Sequence, residues 1–548
     1  MTAAIYFHGD AYTTAGPRLM GRNAAGESFL RGFARHAVTD SFWAHVPSND
    51  ATEAFATVMR AAGRAEPIRT VSHATNARLK EPGALYYPAL NIGEIARERS
   101  LTGDAAWSLC GVTHTTASAR AMDGIADLAV APVQPWDALI CTSAAVRANV
   151  DMVLAAEEAR LADRLGTTRV VRPQLPVIPL GIHCDDFAFS GADRAAARAA
   201  LGVDEHAMVV LFTGRLSFHA KAHPAAMYAA IEAATASLPP GGRAVLVECG
   251  WFPNDAIQRM FEAATAALCP SVEVKRLDGR EAAARRTAWA GADIFCSLAD
   301  NVQETFGLTP IEAKAAGLPV VVSDWDGYRC TVRDGVDGFR VPTLMPEDGL
   351  GADLAARHAL GLDTYDRYCG YTAAFVDVNL TAATEAFARL FASAELRAGM
   401  GAAGRAHARA AFDWATIIPR YEALWAELAA IRASAATARN GGWPARLDPF
   451  AAFASYPTRR LTRATIVTLA DPDVAAARVR LQRMITLEMI HYAASVLPSS
   501  REVEAMLAAA ADGPCRADAI VATIPRERQG FAFRGIAWLA KIGVFRLA

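Results

Sequence analysis

Short apolar runs alternate with alanine-rich, amphipathic stretches over the first ~190 residues. AAIYFHG, FWAHVPS, ALYYP, WSLCGVTH and WDALICTS predict strands, whereas GESFLRGFARHA and AAVRANVDMVLAAEEARLADRL carry helical spacing. Apolar runs separated by helices predict a parallel sheet covered on both faces. The pattern breaks at the connector Val177-Ile178-Pro179-Leu180-Gly181 and then restarts: MVVLFTG, AVLVECG, VEVKRLD, DIFCSL and LPVVVSD predict a second set of buried strands. Two successive doubly wound halves predict two Rossmann-like domains facing each other across a cleft. Ligands of such sheets sit beyond the carboxyl ends of the strands. From Thr381 to Leu428 the spacing is helical, NGGWPARLDPFAAFASYP reads as a turn-rich linker, and RLQRMITLEMIHYAASVL, SREVEAMLAAAAD and FAFRGIAWLAKIG predict a last, mainly helical unit ending on VFRL. The predicted division is 1–190, 191–395, 396–435, a linker over 436–456, and 457–548.

Composition narrows the field. The hydrophobic fraction is 53% over 548 residues, but much of it is alanine, which favours helix and buries little area. With 55 Lys+Arg against 57 Asp+Glu the charge is balanced, so nucleic acid is not the expected partner. Nine scattered cysteines without a CxxC fit a reducing, cytoplasmic setting. The start, MTAAIYFHGDAYTTAGPR, lacks the pattern of a secretory signal, and no run approaches the ~20 apolar residues of a membrane span. Peripheral contact with a membrane stays open.

The chemistry concentrates in two segments. In QETFGLTPIEAKAAGLPVVVSDWDG, residues 303–327, Glu304 stands in a loop and Glu312 follows on a helix. Gly307 permits close backbone approach. Thr309 as N-cap, Pro310 at N1 and Glu312 at N3 predict a capping box, which accounts for Glu312 without any ligand. It accounts for neither Glu304 nor Gly307. A helix start with exposed amides after a glycine suits a phosphate. The second segment is FTGRLSFHAKAHP, residues 212–224, where a strand ends at Thr213-Gly214 and Arg215 and Lys221 follow. Two cations at a strand's carboxyl end suit a diphosphate; two solvated surface cations are the plain alternative. His219 and His223 have metal-ligand spacing but no third ligand, and no metal site is expected. Asp300-Asn301 shape the Glu304 loop or form a plain turn.

These segments resemble the family 4 retaining glycosyltransferases of the GT-B fold. Glu304 and Glu312 form that family's Glu-x7-Glu pair, and Arg215 and Lys221 its Arg/Lys pair. The resemblance covers roughly 1–430 and implies an α/β GT-B architecture, with acceptor bound by the first domain and a nucleotide-diphosphate sugar by the second. It implies that Glu304 contacts the donor sugar, that Glu312 binds the ribose, and that Gly307, Leu308 and Thr309 offer amides to the diphosphate. Phe306 would line the sugar pocket, and Arg215 and Lys221, beside Gly214, would hold the leaving diphosphate. Cations then replace a catalytic metal, and no cofactor is implied. FDWATIIPRYEALW implies a helix crossing back onto the first domain, with Trp414, Tyr421 and Trp425 as packing residues.

The first domain matches less closely. GRNAAG, residues 21–26, resembles the glycine-rich loop near the donor phosphates, which places Gly21 and Asn23 in the donor site, although Arg22-Asn23 replace the family's paired glycine. His114 stands where the family has His-Asp, with Thr115 in place of the acid. It contacts donor or acceptor, or is a satisfied loop histidine. Asp137 and Ser143 read as structural. Where the family has Gly-Gly-x-x-Glu, this chain reads Asp326-Gly327-Tyr328-Arg329-Cys330, without the glutamate; Asp334-Gly335 and Asp337-Gly338 read as turns. Residues 457–548 resemble a winged-helix module, read here as a site for a protein partner or homo-oligomer. The implied activity is transfer from a nucleotide sugar to an unidentified acceptor: a glycan, a lipid-linked sugar or a small molecule. The alternatives are a sugar-nucleotide epimerase, a phosphorylase, or a non-catalytic sugar-nucleotide scaffold.

Overall fold

The computed structural model describes residues 2–12, 21–435 and 442–548. The chain divides into two compact units, Met1–Trp443 and Pro444–Ala548.

The first unit holds two six-stranded parallel sheets. One is built from β1 (Ala4–Tyr6), β2 (Phe42–His45), β3 (Ile68–Val71), β4 (Ala84–Tyr86), β5 (Ser108–Val112) and β6 (Ala138–Ile140), in the order β3-β2-β1-β4-β5-β6. The other is built from β7 (Ala207–Thr213), β8 (Arg243–Gly250), β9 (Glu273–Asp278), β10 (Ile294–Ser297), β11 (Val320–Ser323) and β12 (Gly338–Val341), in the order β12-β11-β10-β7-β8-β9. Each is a doubly wound sheet with helices on both faces, and together they make the GT-B architecture. The central strands are near-continuous apolar runs because both faces are covered: Val209, Val210 and Leu211 of β7 are wholly buried, as are Val320, Val321 and Val322 of β11. Two strands that the alternation did not predict complete the sheets. β3 is an edge strand with only Val71 buried, so its apolar signal is weak. β12 opens at Gly338, within a stretch read as two turns; Gly335 does turn, at φ +70°, but Gly338 pairs with Val320.

The helix Trp414–Ser434 crosses back onto the first sheet. Trp414, Tyr421 and Trp425 are fully buried in one cluster with Phe29, Phe33 and Tyr86. Each aromatic side chain so buried is worth roughly 1.5–3 kcal/mol. Gly32 lets the Gly21–His36 helix approach: a Cβ there would stand 2.5 Å from the Trp414 ring. Structural ion pairs lock the frame. Asp137 and Arg99, both fully buried, pair at 2.5 Å, and Asp137 also accepts from the amides of Leu109 and Gln134, as its structural reading requires. In the second half Lys314 and Asp337 are equally buried and pair at 3.1 Å, with His407 against both.

The second unit carries a three-stranded antiparallel sheet, Cys515–Arg516, Ile466–Leu469 and Phe545–Leu547, with Ile466–Leu469 in the middle. The helices Val474–Ile485, Ser500–Ala509, Ala517–Ala522 and Gln529–Lys541 pack around a core of Met506, Leu507, Ile520, Ile536 and Leu539. Of the linker predicted over 436–456, residues 436–441 lie outside the described residues, and Pro449–Ala452 forms a short helix. Among the described residues no helix is long and apolar enough to cross a membrane.

Candidate functional site

The site assembles at the carboxyl ends of β7 and β10. After β7 the chain passes Gly214 into a loop in which Arg215 donates to the Ala220 carbonyl and to Gln303 Oε1, both at 3.2 Å. After β10 a second loop carries Glu304. The two loops are stitched together at their bases. Asp300 accepts from the His223 amide at 3.2 Å, and Asn301 donates to the His219 carbonyl at 3.0 Å. Asp300 and Asn301 therefore shape the Glu304 loop, and His219 and His223 serve that fastening. Across the stitched loops Lys221 Nζ donates to Glu304 Oε2 at 3.2 Å. Burial pushes the Glu304 carboxyl up. The Lys221 charge and hydrogen bond, with the Thr305 and Phe306 amides, outweigh it and hold the group below its ordinary range.

Gly307 adopts φ +88° and caps the helix Leu308–Ala315. Its conformation is left-handed, and a Cβ would lie 2.1 Å from the Tyr328 ring, so only glycine fits. The helix thus begins earlier than the capping-box reading placed it. Thr309 is inside the first turn, no side chain caps the start, and Glu312 is not at N3. The capping box is absent, and the ligand-free account of Glu312 goes with it. Burial pushes the Glu312 carboxyl up to about 7, against a weaker opposing field from Arg285. The amides of Leu308 and Thr309 lie in the first turn without a side-chain acceptor; Pro310 has none to offer. Phe306 departs from expectation: it is 2% exposed and packs with Ile311, Ala315 and Phe412, so its side chain is core and not pocket wall.

Among the described residues, hydrogen bonds join the first half to this site. Thr305 Oγ1 donates to the His114 carbonyl at 2.9 Å, Thr115 Oγ1 and the Tyr365 hydroxyl share a hydrogen bond at 3.3 Å, and Ser143 Oγ donates to Asp326 Oδ1 at 3.2 Å. His114 sits against the Glu304 loop with its ring Nε2 3.2 Å from the Pro88 carbonyl. Gly21 and Asn23 do not form a loop: they stand at the start of the helix Gly21–His36, and residues 13–20 before it lie outside the described residues. Sequence reasoning missed Asp326, visible there only as a departure from Gly-Gly-x-x-Glu, and gave Ser143 a purely structural role. Ser143 does cap the Ala144–Leu165 helix, accepting from the Val146 amide at 3.1 Å, but its hydroxyl proton goes to Asp326. No group of three or more His, Cys, Asp or Glu side chains that could hold a metal ion occurs among the described residues.

Comparison with known proteins gives these features a family. The model for glycosyl transferases group 1 matches residues 193–348, which contain Arg215, Lys221, Glu304, Glu312 and Asp326. A D-inositol 3-phosphate glycosyltransferase of Geodermatophilus obscurus is 31% identical over 327 residues, 58% of this chain and 68% of that protein. The enzyme of the same name from Nocardia farcinica is 33% identical over 267 residues, but the chain spans only 56% of its length. Among solved structures, Anabaena Alr3699/HepE in complex with UDP aligns with 78% of this chain and all of that one, at 16% identity and a TM-score of 0.49. Sucrose-phosphate synthase from Thermosynechococcus elongatus aligns with 78% of this chain and 99% of that one, at 18% identity and a TM-score of 0.47. On the first of these relatives, the family model and the site it covers, this chain belongs to the group 1 glycosyltransferases.

Proposed function

We propose that this glycosyltransferase moves a sugar from a nucleotide-diphosphate sugar to an acceptor hydroxyl with retention of configuration and without a metal. The observation that carries the proposal is the Lys221–Glu304 pair, beside Arg215 and next to an uncapped helix start. Arg215, Lys221 and the Leu308 and Thr309 amides neutralise the diphosphate as its bond to the anomeric carbon breaks. Lys221 is shared between Glu304 and that leaving group, which places the charge that stabilises departure next to the carboxylate that holds the sugar. Glu312 takes the ribose hydroxyls. The acceptor oxygen forms its bond to the anomeric carbon on the face the diphosphate leaves, and its proton passes to a leaving phosphate oxygen. Among the described residues, the hydrogen bonds that link the first half to this site come from Thr305, Thr115 and Ser143 and not from a first-half carboxylate, which favours this path over a double displacement. The contacts through Thr305, Thr115 and Ser143 favour a closed cleft, which keeps water from the donor.

The acceptor belongs to the first half, with His114 at its edge. The curated relatives act, by name, on D-inositol 3-phosphate, so phosphorylated polyols head the acceptor screen. The second unit is read as a winged-helix-like module for a protein partner or a second copy. The test is a panel of nucleotide sugars scored by thermal shift and donor hydrolysis. One nucleotide should stabilise the protein and its sugar conjugate should be turned over, unaffected by excess chelator. Stabilisation by no nucleotide, or activity lost to chelator and restored by Mg²⁺ or Mn²⁺, refutes this reading.

A further inference from the structure

Asp326 has features that the transfer scheme leaves unused. Among the described residues it alone, glycines aside, has a left-handed backbone, at φ +42°. It stands where the related pattern has the first glycine of Gly-Gly-x-x-Glu, so this chain has placed a side chain where the backbone disfavours one. Strain of that kind persists where the surrounding structure enforces it, and it gathers at functional sites. The side chain is pinned at one end only. Oδ1 accepts from Ser143 Oγ at 3.2 Å, while Oδ2 is buried and has no partner among the described residues. Ser143 is itself fixed, because its oxygen accepts the Val146 amide as a helix cap. Burial, and then the charge of neighbouring Glu304, push the Asp326 carboxyl up to about 7. A buried polar atom without a protein partner is uncommon and calls for another group to pair with it.

We propose that Asp326 is a sugar-selecting residue of this chain: Ser143 orients its carboxyl, and the second carboxyl oxygen is offered to a hydroxyl of the transferring sugar beside Glu304. This rests on the reading that Glu304 faces the donor sugar. It adds a contact that the Glu-x7-Glu and Arg/Lys pairs do not supply. A site built to hydrogen-bond a hydroxyl discriminates strongly against sugars that lack it or present it differently, because its own polar atom is then left unpaired.

Four matched pairs test this on the full chain by calorimetric titration: UDP with UDP-glucose, UDP with UDP-N-acetylglucosamine, GDP with GDP-mannose, and ADP with ADP-glucose. The variants are Asp326→Gly, which relieves the backbone, Asp326→Asn, and Ser143→Ala. Asp326→Gly should bind the preferred nucleoside diphosphate within about twofold of wild type, yet lose about 10- to 100-fold in affinity for its sugar conjugate. The preference among sugars should flatten. Asp326→Asn, which keeps one acceptor oxygen, should lose less, and Ser143→Ala less again. Wild-type affinity for the sugar conjugate in Asp326→Gly overturns the proposal. So does an equal loss for the diphosphate alone, or a loss in Ser143→Ala as large as in Asp326→Gly, since Asp326 would then only clasp the two halves. Failure of the wild-type chain to bind any of the diphosphates overturns the donor-site reading itself, an outcome separate from these.

Discussion

Replacing Lys221 by alanine probes the pair on which the site reading turns. Lys221 Nζ lies 3.2 Å from Glu304 Oε2. At that separation the attraction is about 5 kcal/mol for an effective dielectric near 20. The Lys221 side chain is 38% exposed, however, so water screens the pair and its net worth to stability is about 1 kcal/mol or less. The fold should survive. Turnover should not: a charge aimed at a departing diphosphate is worth about 10²- to 10³-fold, as measured for single electrostatic donors elsewhere. The variant should also change how the site titrates. Burial pushes the Glu304 carboxyl up, and Lys221 is the chief force holding it down. Without Lys221 burial prevails, and Glu304 takes up its proton at higher pH than in wild type. The acid limb of the residual pH–rate profile should therefore move to higher pH. Steady-state rates with the donor found in the panel, from pH 4 to pH 9, measure both effects. Turnover within about threefold of wild type, or an unmoved acid limb with turnover lost, would refute this account of the pair.

Three further outcomes are expected. Glu312→Gln should weaken nucleotide binding by about tenfold. It should also flatten stability against pH, because a carboxyl raised from 4.5 to about 7 by folding contributes stability that is fully present below 4.5 and lost as pH rises through 7; urea unfolding at pH 5 and pH 8 beside calorimetric binding measures both, and wild-type affinity would return Glu312 to a structural role. Binding of a nucleoside diphosphate near pH 7 should be accompanied by net proton uptake, since its negative charge raises further the carboxyls of Glu312 and Asp326, both held near 7; titration in buffers of differing ionisation enthalpy would contradict this by showing proton release. A chain ending at Trp443 should keep nucleotide binding and form a smaller assembly in light scattering or lose a partner in pull-downs, whereas an insoluble product would contradict the independence of the first unit.

The sheets were legible because a strand covered on both faces must be apolar throughout, and MVVLFTG or LPVVVSD can be little else. β3 and β12 escaped for opposite reasons: IRTV is half exposed at an edge, and Gly338 looks like the end of a turn until its pairing with Val320 is known. Arg215, Lys221, Glu304 and Glu312 were singled out by their segments and by resemblance, yet neither reported that Lys221 and Glu304 touch. The helix start was misread because Thr309-Pro310 is a sound local N-cap signal. It loses to Gly307, whose left-handed backbone caps the helix and whose missing Cβ leaves room for the Tyr328 ring. Phe306 likewise follows a tertiary partner, Phe412, into the core.

The same physics bears on how so many acids can gather at the site proposed for a diphosphate. Asp300, Glu312 and Asp326 are each held near 7 by burial, and only Glu304, with Lys221 against it, is pulled down. Four ionised carboxylates would repel a diphosphate. Three that are each partly protonated near neutrality repel it less, and a protonated carboxyl can both donate to and accept from a sugar hydroxyl. On the proposed reading burial sets charge as well as stability: it suits Glu312 and Asp326 to hydroxyls and leaves Arg215, Lys221 and the helix amides to meet the phosphates. Asp326 is the member of that set at the strained turn, where a glycine would supply no acid.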